Sequence, residues 1–241
     1  MYPLVESTIA VFCDFDGTIT RRDVGDAMIR NFGIFEPFHT DLLAGKMTVA
    51  EYYRKALQQA GPDFTPETIE KFTLEMEMDA YFPVFFDYCR EHNIPLMILS
   101  DGFQEYIQPI LLANNIDRAH VMANNLNFQK SGVEPIFPNA SENCNCFCAS
   151  CKRNSMLATA QTEACYVYIG DGLSDTCAAS HADVIFAKGA LAAFCNEHRI
   201  PHYTFHTFFD VLRIFKKIVM NNQIKHRRQA ELLRKKSVEI E

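Results

Sequence analysis

The chain has 241 residues, of which 48% are hydrophobic and 22% charged. That balance excludes a disordered, collagen-like or low-complexity protein, and a chain of this size buries enough surface to fold without covalent staples. No apolar run reaches about 18 residues, so a membrane-spanning helix is not expected, and the N-terminal stretch lacks the basic segment of a secretion signal. The net charge is −7 and uneven: residues 216–236 hold eight Lys or Arg against one Glu, leaving an acidic body that argues against a nucleic-acid-binding core. The basic segment reads as a solvated helix face or tail. Nine cysteines, an odd number, predict free thiols in a reducing, cytoplasmic setting.

The first apolar run of strand length is Ile9–Cys13, followed by Leu96–Leu99, Ala164–Ile169, Val184–Ala187 and Tyr203–Phe205. The runs are continuous rather than alternating, as in a sheet covered on both faces. Helical patterns at 103–113, 152–161, 173–181 and 190–198 alternate with them, which implies a parallel sheet with crossover helices. Between the first two runs, 23–32, 49–60 and 66–78 show helical spacing. Residues 120–137 read as a strand or hairpin. The expected architecture is α/β: a Rossmann-like core with a parallel sheet at 1–20 and 80–215, a helical cap inserted at 21–79, and a basic C-terminal helix or tail at 216–241.

Chemistry concentrates where runs end. The first ends in Asp14-Phe15-Asp16-Gly17-Thr18 and the third in Gly170-Asp171-Gly172-Leu173-Ser174-Asp175. Ligands of open α/β sheets bind at the carboxyl edge. Clustered carboxylates repel unless a cation or shared proton relieves them, and a hard cation such as Mg²⁺ suits oxygen ligands while leaving room for phosphate.

These two motifs, with Ser100 in ILSDG and Lys152 opening a helix before the third strand, resemble in order the four motifs of the haloacid dehalogenase (HAD) superfamily. The resemblance covers positions 14–175. It implies a Mg²⁺-dependent phosphatase in which Asp14 attacks phosphorus to form an aspartyl-phosphate. Asp16 would then act as general acid and base. Mg²⁺ would be held by Asp14, the Asp16 backbone carbonyl and Asp171, with Asp175 further out. Phosphate oxygens would meet Ser100, Lys152 and backbone amides near Gly102 and Thr18, with Asp101 beside them. A phosphomutase on the same scaffold, or a non-catalytic module docking through its cysteine loop, are the alternatives.

The helical insertion looks like the cap of the phosphoserine-phosphatase-like branch, where a cap acid selects substrate; Asp23 or Asp26 matches it, and Arg21, Arg22 or Arg54 could meet an anionic group. A closer resemblance is to the methionine-salvage phosphatases that act on 2-hydroxy-3-keto-5-methylthiopentenyl-1-phosphate. It rests on DFDGTIT, the cap size and a Cys-rich segment running into Lys152. The partner implied is a small phosphorylated metabolite, with neither nucleic acid nor membrane, acted on by a monomer or homodimer. Cys144, Cys146, Cys148 and Cys151 within eight residues could hold a structural Zn²⁺, although one-residue gaps strain a tetrahedral site.

Overall fold

The computed structural model describes residues 8–240 except 59, 131, 142–145 and 147. Strand β1 (Ile9–Cys13) is the centre of a seven-stranded sheet that also contains β2 (Leu96–Phe103), β3 (His120–Gln129), β4 (Gly132–Ile136), β5 (Cys165–Gly170), β6 (Val184–Ala187) and β7 (Tyr203–Thr204). The order is β4-β3-β2-β1-β5-β6-β7, with every pairing parallel except β3–β4. All six residues of β5 are buried. Along β1 the side chains alternate between two cores: Val11 and Cys13 join one, Ala10 and Phe12 the other. Both faces are covered, which is why the strand runs carry no polar alternation.

Four helices lie between β1 and the helix that precedes β2: α1 (Val24–Phe32), α2 (Phe38–Leu43), α3 (Val49–Leu57) and α4 (Pro66–Thr73). Thr48 and Glu51 form a reciprocal cap at the start of α3, and Pro66 opens α4 where a missing N–H costs nothing. The two crossings into this segment pair with each other. Thr20 bridges Met78, the Arg21 amide donates to the Glu77 carbonyl at 2.9 Å, and the Asp79 amide donates to the Ile19 carbonyl at 2.8 Å.

The remaining helices are α5 (Phe82–Glu91), α6 (Gln104–Ala113), α7 (Lys152–Thr159), α8 (Thr176–His181), α9 (Gly189–Glu197), α10 (Phe208–Met220) and α11 (Arg228–Ile240). Helix α10 runs through residue 216 and packs Phe208 and Phe215 against Phe82 and Phe85 of α5, with ring centroids 4.9 and 5.5 Å apart. The basic segment is not simply a solvated face. Arg234 is 3% exposed, lies 3.1 Å from Asp183 Oδ2 and donates to the His181 carbonyl at 2.7 Å, while Arg227 donates to the Ser180 and Ala182 carbonyls. Asp183 is itself buried, and a buried carboxylate needs cationic partners; these arginines supply the charge from the C-terminal segment.

Candidate active site

β1 lies between β2 and β5, so the chain leaves its carboxyl end where connections run to opposite sides, and a crevice opens there. Three peptide segments meet at this edge. After β1, Gly17 turns the backbone at φ +73°, and a side chain there would approach Asp171 Oδ2 to 2.7 Å. Within β2 the register slips: Leu99 pairs with Met122 but Phe103 with Asn124, so the three residues Ser100-Asp101-Gly102 stand opposite Ala123 alone. This stretch bulges out of the ladder, which re-aims its side chains. After β5, a single 3-10 turn, Leu173–Asp175, folds back over the strand end.

The carboxylates converge. Oxygens of Asp14, Asp171 and Asp175 lie within 4.8 Å of one another. Lys152, 2% exposed, sits among them with Nζ 2.6 Å from Asp14 Oδ1, 2.6 Å from Asp175 Oδ1 and 3.2 Å from Ser174 Oγ. Burial works against the lysine's charge, but Asp14 and Asp175 outweigh it and hold its pKa well above the usual value. Burial, then Asp175, pushes the Asp14 carboxyl up; burial, then Asp175, does the same to Asp171. One lysine therefore does not balance the cluster, and the excess negative charge on oxygen donors fits a divalent cation such as Mg²⁺. The oxygens of Asp175 are already occupied: Oδ2 accepts the amides of Asp171 (3.0 Å) and Gly172 (2.9 Å), and Oδ1 accepts the Tyr168 hydroxyl (2.6 Å) besides Lys152. Asp171 is oriented by the Thr18 hydroxyl, which donates to it at 2.7 Å.

Asp16 faces the other way. Oδ1 accepts the amides of Val24 (3.1 Å) and Gly25 (3.3 Å), and Oδ2 accepts the hydroxyls of Ser100 (3.1 Å) and Tyr106 (2.8 Å). Burial raises its carboxyl pKa against the opposing effect of those hydrogen bonds. The Gly102 amide donates to Ser100 Oγ at 2.8 Å. A cavity of about 110 Å³ opens among these groups, and Asp101, Gly102, Lys152, Asp23 and Tyr53 share its walls with Asp14, Asp16 and Asp171.

The other residues singled out from the sequence distribute as follows. Asp101 Oδ1 accepts the Ser150 amide at 2.6 Å, its Oδ2 is buried without a hydrogen-bond partner, and burial raises its pKa to about 6. Asp23 both lines the cavity and caps α1, accepting the Asp26 amide at 2.7 Å. The Thr18 amide closes a turn onto the Phe15 carbonyl at 3.2 Å. Arg54 is not among the cavity's lining residues; its guanidinium lies 4.8 Å from the centre of the Phe137 ring. Arg21 pairs with Glu77 at 2.9 Å on the surface. Asp26 lies 3.1 Å from His39 Nε2. Nothing in the sequence marks out Tyr106 or Tyr168, because a tyrosine at a core position looks like any other core aromatic.

Of the four clustered cysteines, Cys144 lies outside the described residues. Cys146 is disulfide-bonded, and its sulfur is 2.9 Å from that of Cys148. Two thiolates on one tetrahedral zinc, at ~2.3 Å each, stand roughly 3.8 Å apart, so this pair has no zinc-site geometry. Among the described residues no helix is long and apolar enough to cross a membrane.

A mostly parallel sheet whose carboxyl edge gathers aspartates around a buried lysine is an α/β arrangement suited to phosphoryl transfer. Residues 11–180 match the profile of the haloacid dehalogenase-like hydrolases. The chain is similar to the 2-hydroxy-3-keto-5-methylthiopentenyl-1-phosphate phosphatase of Brevibacillus brevis, 32% identical over 213 residues that cover 87% of this chain and 96% of that protein. The enzyme of the same name from Geobacillus kaustophilus is 31% identical over 207 residues, covering 85% and 94%. A phosphoserine phosphatase solved as a phospho-aspartyl intermediate analogue shares the fold, with a TM-score of 0.65 at 16% identity over 88% of this chain and 99% of that one. The chain belongs to the haloacid dehalogenase-like hydrolase family, and within it is a phosphatase.

Proposed function

We propose that this phosphatase hydrolyses a small phosphomonoester through an aspartyl-phosphate on Asp14, and that its substrate is the 2-hydroxy-3-keto-5-methylthiopentenyl-1-phosphate for which its relatives are named. The observation that carries the reading is the meeting of Asp14, Asp171 and Asp175 beside Lys152.

An Asp14 oxygen attacks phosphorus as the bond to the leaving oxygen breaks, and Asp16 gives that oxygen a proton. Asp16 then takes a proton from water as the water's oxygen attacks phosphorus, freeing Asp14 and inorganic phosphate. Asp14, Asp171 and the Asp16 carbonyl would hold Mg²⁺, which when bound offsets charge on the transferring phosphoryl group. Asp175, its oxygens already engaged, orients the Asp171 loop. Lys152 balances Asp14 before attack and phosphate oxygens after it; Gly102 lines the same cavity, while Ser100, fully buried and outside the lining, holds the Gly102 amide and Asp16. Residues 21–79 act as a cap that opens and closes about the paired crossings at Thr20 and Met78.

The choice between the two named substrate types rests on cations. Phosphoserine carries an α-carboxylate, yet among the described residues Lys152 is the one cation lining the cavity, and Asp14 and Asp175 already hold it. An uncharged carbon tail makes no such demand. Phosphate release with Mg²⁺ from the methionine-salvage compound, phosphoserine and a sugar phosphate tests the proposal. The first should have the highest kcat/KM; a higher value for phosphoserine, or an isomerised phosphate in place of free phosphate, would contradict it.

A further inference from the structure

Of the donors that hold Asp16, Tyr106 gives the shortest contact, 2.8 Å to Oδ2. Its side chain is fully buried at the third position of α6. Room for the hydroxyl is made from two directions. A Cβ at Gly102 would lie 1.6 Å from the Tyr106 oxygen, which is impossible, and one at Gly25 would lie 3.3 Å from it. So three distant positions, in α1, the β2 bulge and α6, are matched around one hydroxyl–carboxylate contact. The ring packs near Phe15 and Phe103, with centroids 6.3 and 6.4 Å away. A phenylalanine would keep those contacts, so packing alone does not account for the oxygen.

We infer that Tyr106 is a positioning residue for proton transfer by Asp16, fixing the rotation of that carboxylate so that phosphate esters with poor, alkyl leaving groups are cleaved. The inference rests on the acid–base role proposed above for Asp16. With the hydroxyl removed, Oδ2 keeps only Ser100 at 3.1 Å, while the amides of Val24 and Gly25 still hold Oδ1. The carboxylate can then turn about its last bond. An alkoxide cannot leave without a proton, whereas p-nitrophenolate can, so misplacement of the acid shows up as a dependence on the leaving group.

The test measures kcat/KM of the Mg²⁺-loaded full chain on p-nitrophenyl phosphate and on an alkyl phosphate such as glycerol phosphate. Tyr106→Phe should lose about ten- to a hundredfold on the alkyl ester, the range spanned by a hydrogen bond to a charged group, and about twofold or less on the aryl ester. Tyr106→Leu is read beside it so that the result does not hang on one variant folding, and should show the same split. Equal losses on both esters, or no loss on either, would overturn the inference. Asp16→Asn, run in parallel, separates the two levels. A loss there that ignores the leaving group overturns the acid–base role of Asp16 and the Tyr106 inference with it. A leaving-group-dependent loss there, with none in Tyr106→Phe, overturns the Tyr106 inference alone.

Discussion

The ammonium of Lys152 touches the carboxylate of Asp14 at 2.6 Å, with both side chains nearly inaccessible to solvent. The same nitrogen is 2.6 Å from Asp175, so one cation separates two buried anions that begin 161 residues apart. Removing one partner of such a pair strands the other charges, at a cost of about 3–5 kcal/mol. Lys152→Met should therefore lower the midpoint of urea unfolding by that equivalent as well as abolish phosphate release. A variant that is inactive but unfolds at the wild-type midpoint would show that the lysine does not hold the cluster together.

Cation binding should be visible without turnover. A ligand that binds only the folded chain stabilises it by an amount that grows with the logarithm of its concentration. Titrating Mg²⁺ into metal-free protein should raise the melting temperature progressively, and EDTA should reverse this and remove activity. Asp171→Asn should flatten the titration. An equal rise in that variant would place the cation elsewhere.

Gly17 tests how closely the ends of β1 and β5 approach. Its φ of +73° disfavours any side chain, and a Cβ would press to within 2.7 Å of Asp171 Oδ2. Gly17→Ala combines left-handed strain of about 1–2 kcal/mol with displacement of a proposed cation ligand. We expect a loss of at least tenfold in activity at saturating substrate, partly recovered by raising Mg²⁺ concentration. Wild-type activity at low Mg²⁺ would mean that the turn can move away from Asp171.

His181 makes the docking of α11 sensitive to acid. Its Nδ1 lies 2.7 Å from the Cys177 carbonyl, to which it donates, and its Nε2 lies 3.1 Å from the Ser237 hydroxyl, which it accepts when the ring is neutral. Burial lowers its pKa to about 4. The folded chain thus binds fewer protons than the unfolded one between pH ~4 and ~6.5. This contribution is fully present above pH ~6.5 and is lost as pH falls towards 4, on the order of 3 kcal/mol in all. Urea unfolding at pH 7.5, 6 and 5 should follow that slope, and His181→Gln should reduce it. Identical slopes in both proteins would assign the acid sensitivity to other groups.

Much of this was legible in the sequence because the strands are buried on both faces. The runs at Ile9–Cys13 and Val184–Ala187 coincide with β1 and β6, and the acids that follow β1 and β5 announce their shared edge. β2 extends beyond its apolar run because Ser100-Asp101-Gly102 bulges out of the ladder, and polar residues there read as the end of a strand. Helix α2 is hard to read from the sequence because it has only six residues and its one apolar pair on the core side, Phe38 and Leu42, is only half-buried. Arg234 looked like part of a solvated basic face because nothing in its neighbourhood of the chain reveals that Asp183, 51 residues earlier, is buried and awaiting it. Tyr106 shows the same limit at the site, where a hydroxyl matters only once Asp16 is known to lie against it.

Whether Asp14 accepts the phosphoryl group is decided by quenching the Mg²⁺-loaded enzyme during turnover, reducing it with borohydride and sequencing the peptides by mass spectrometry. An acyl phosphate at Asp14 is reduced to the alcohol, so homoserine at position 14, absent without substrate, is the predicted result. Steady phosphate release with Asp14 unmodified, or with homoserine at another aspartate, would show that Asp14 is not the phosphoryl acceptor.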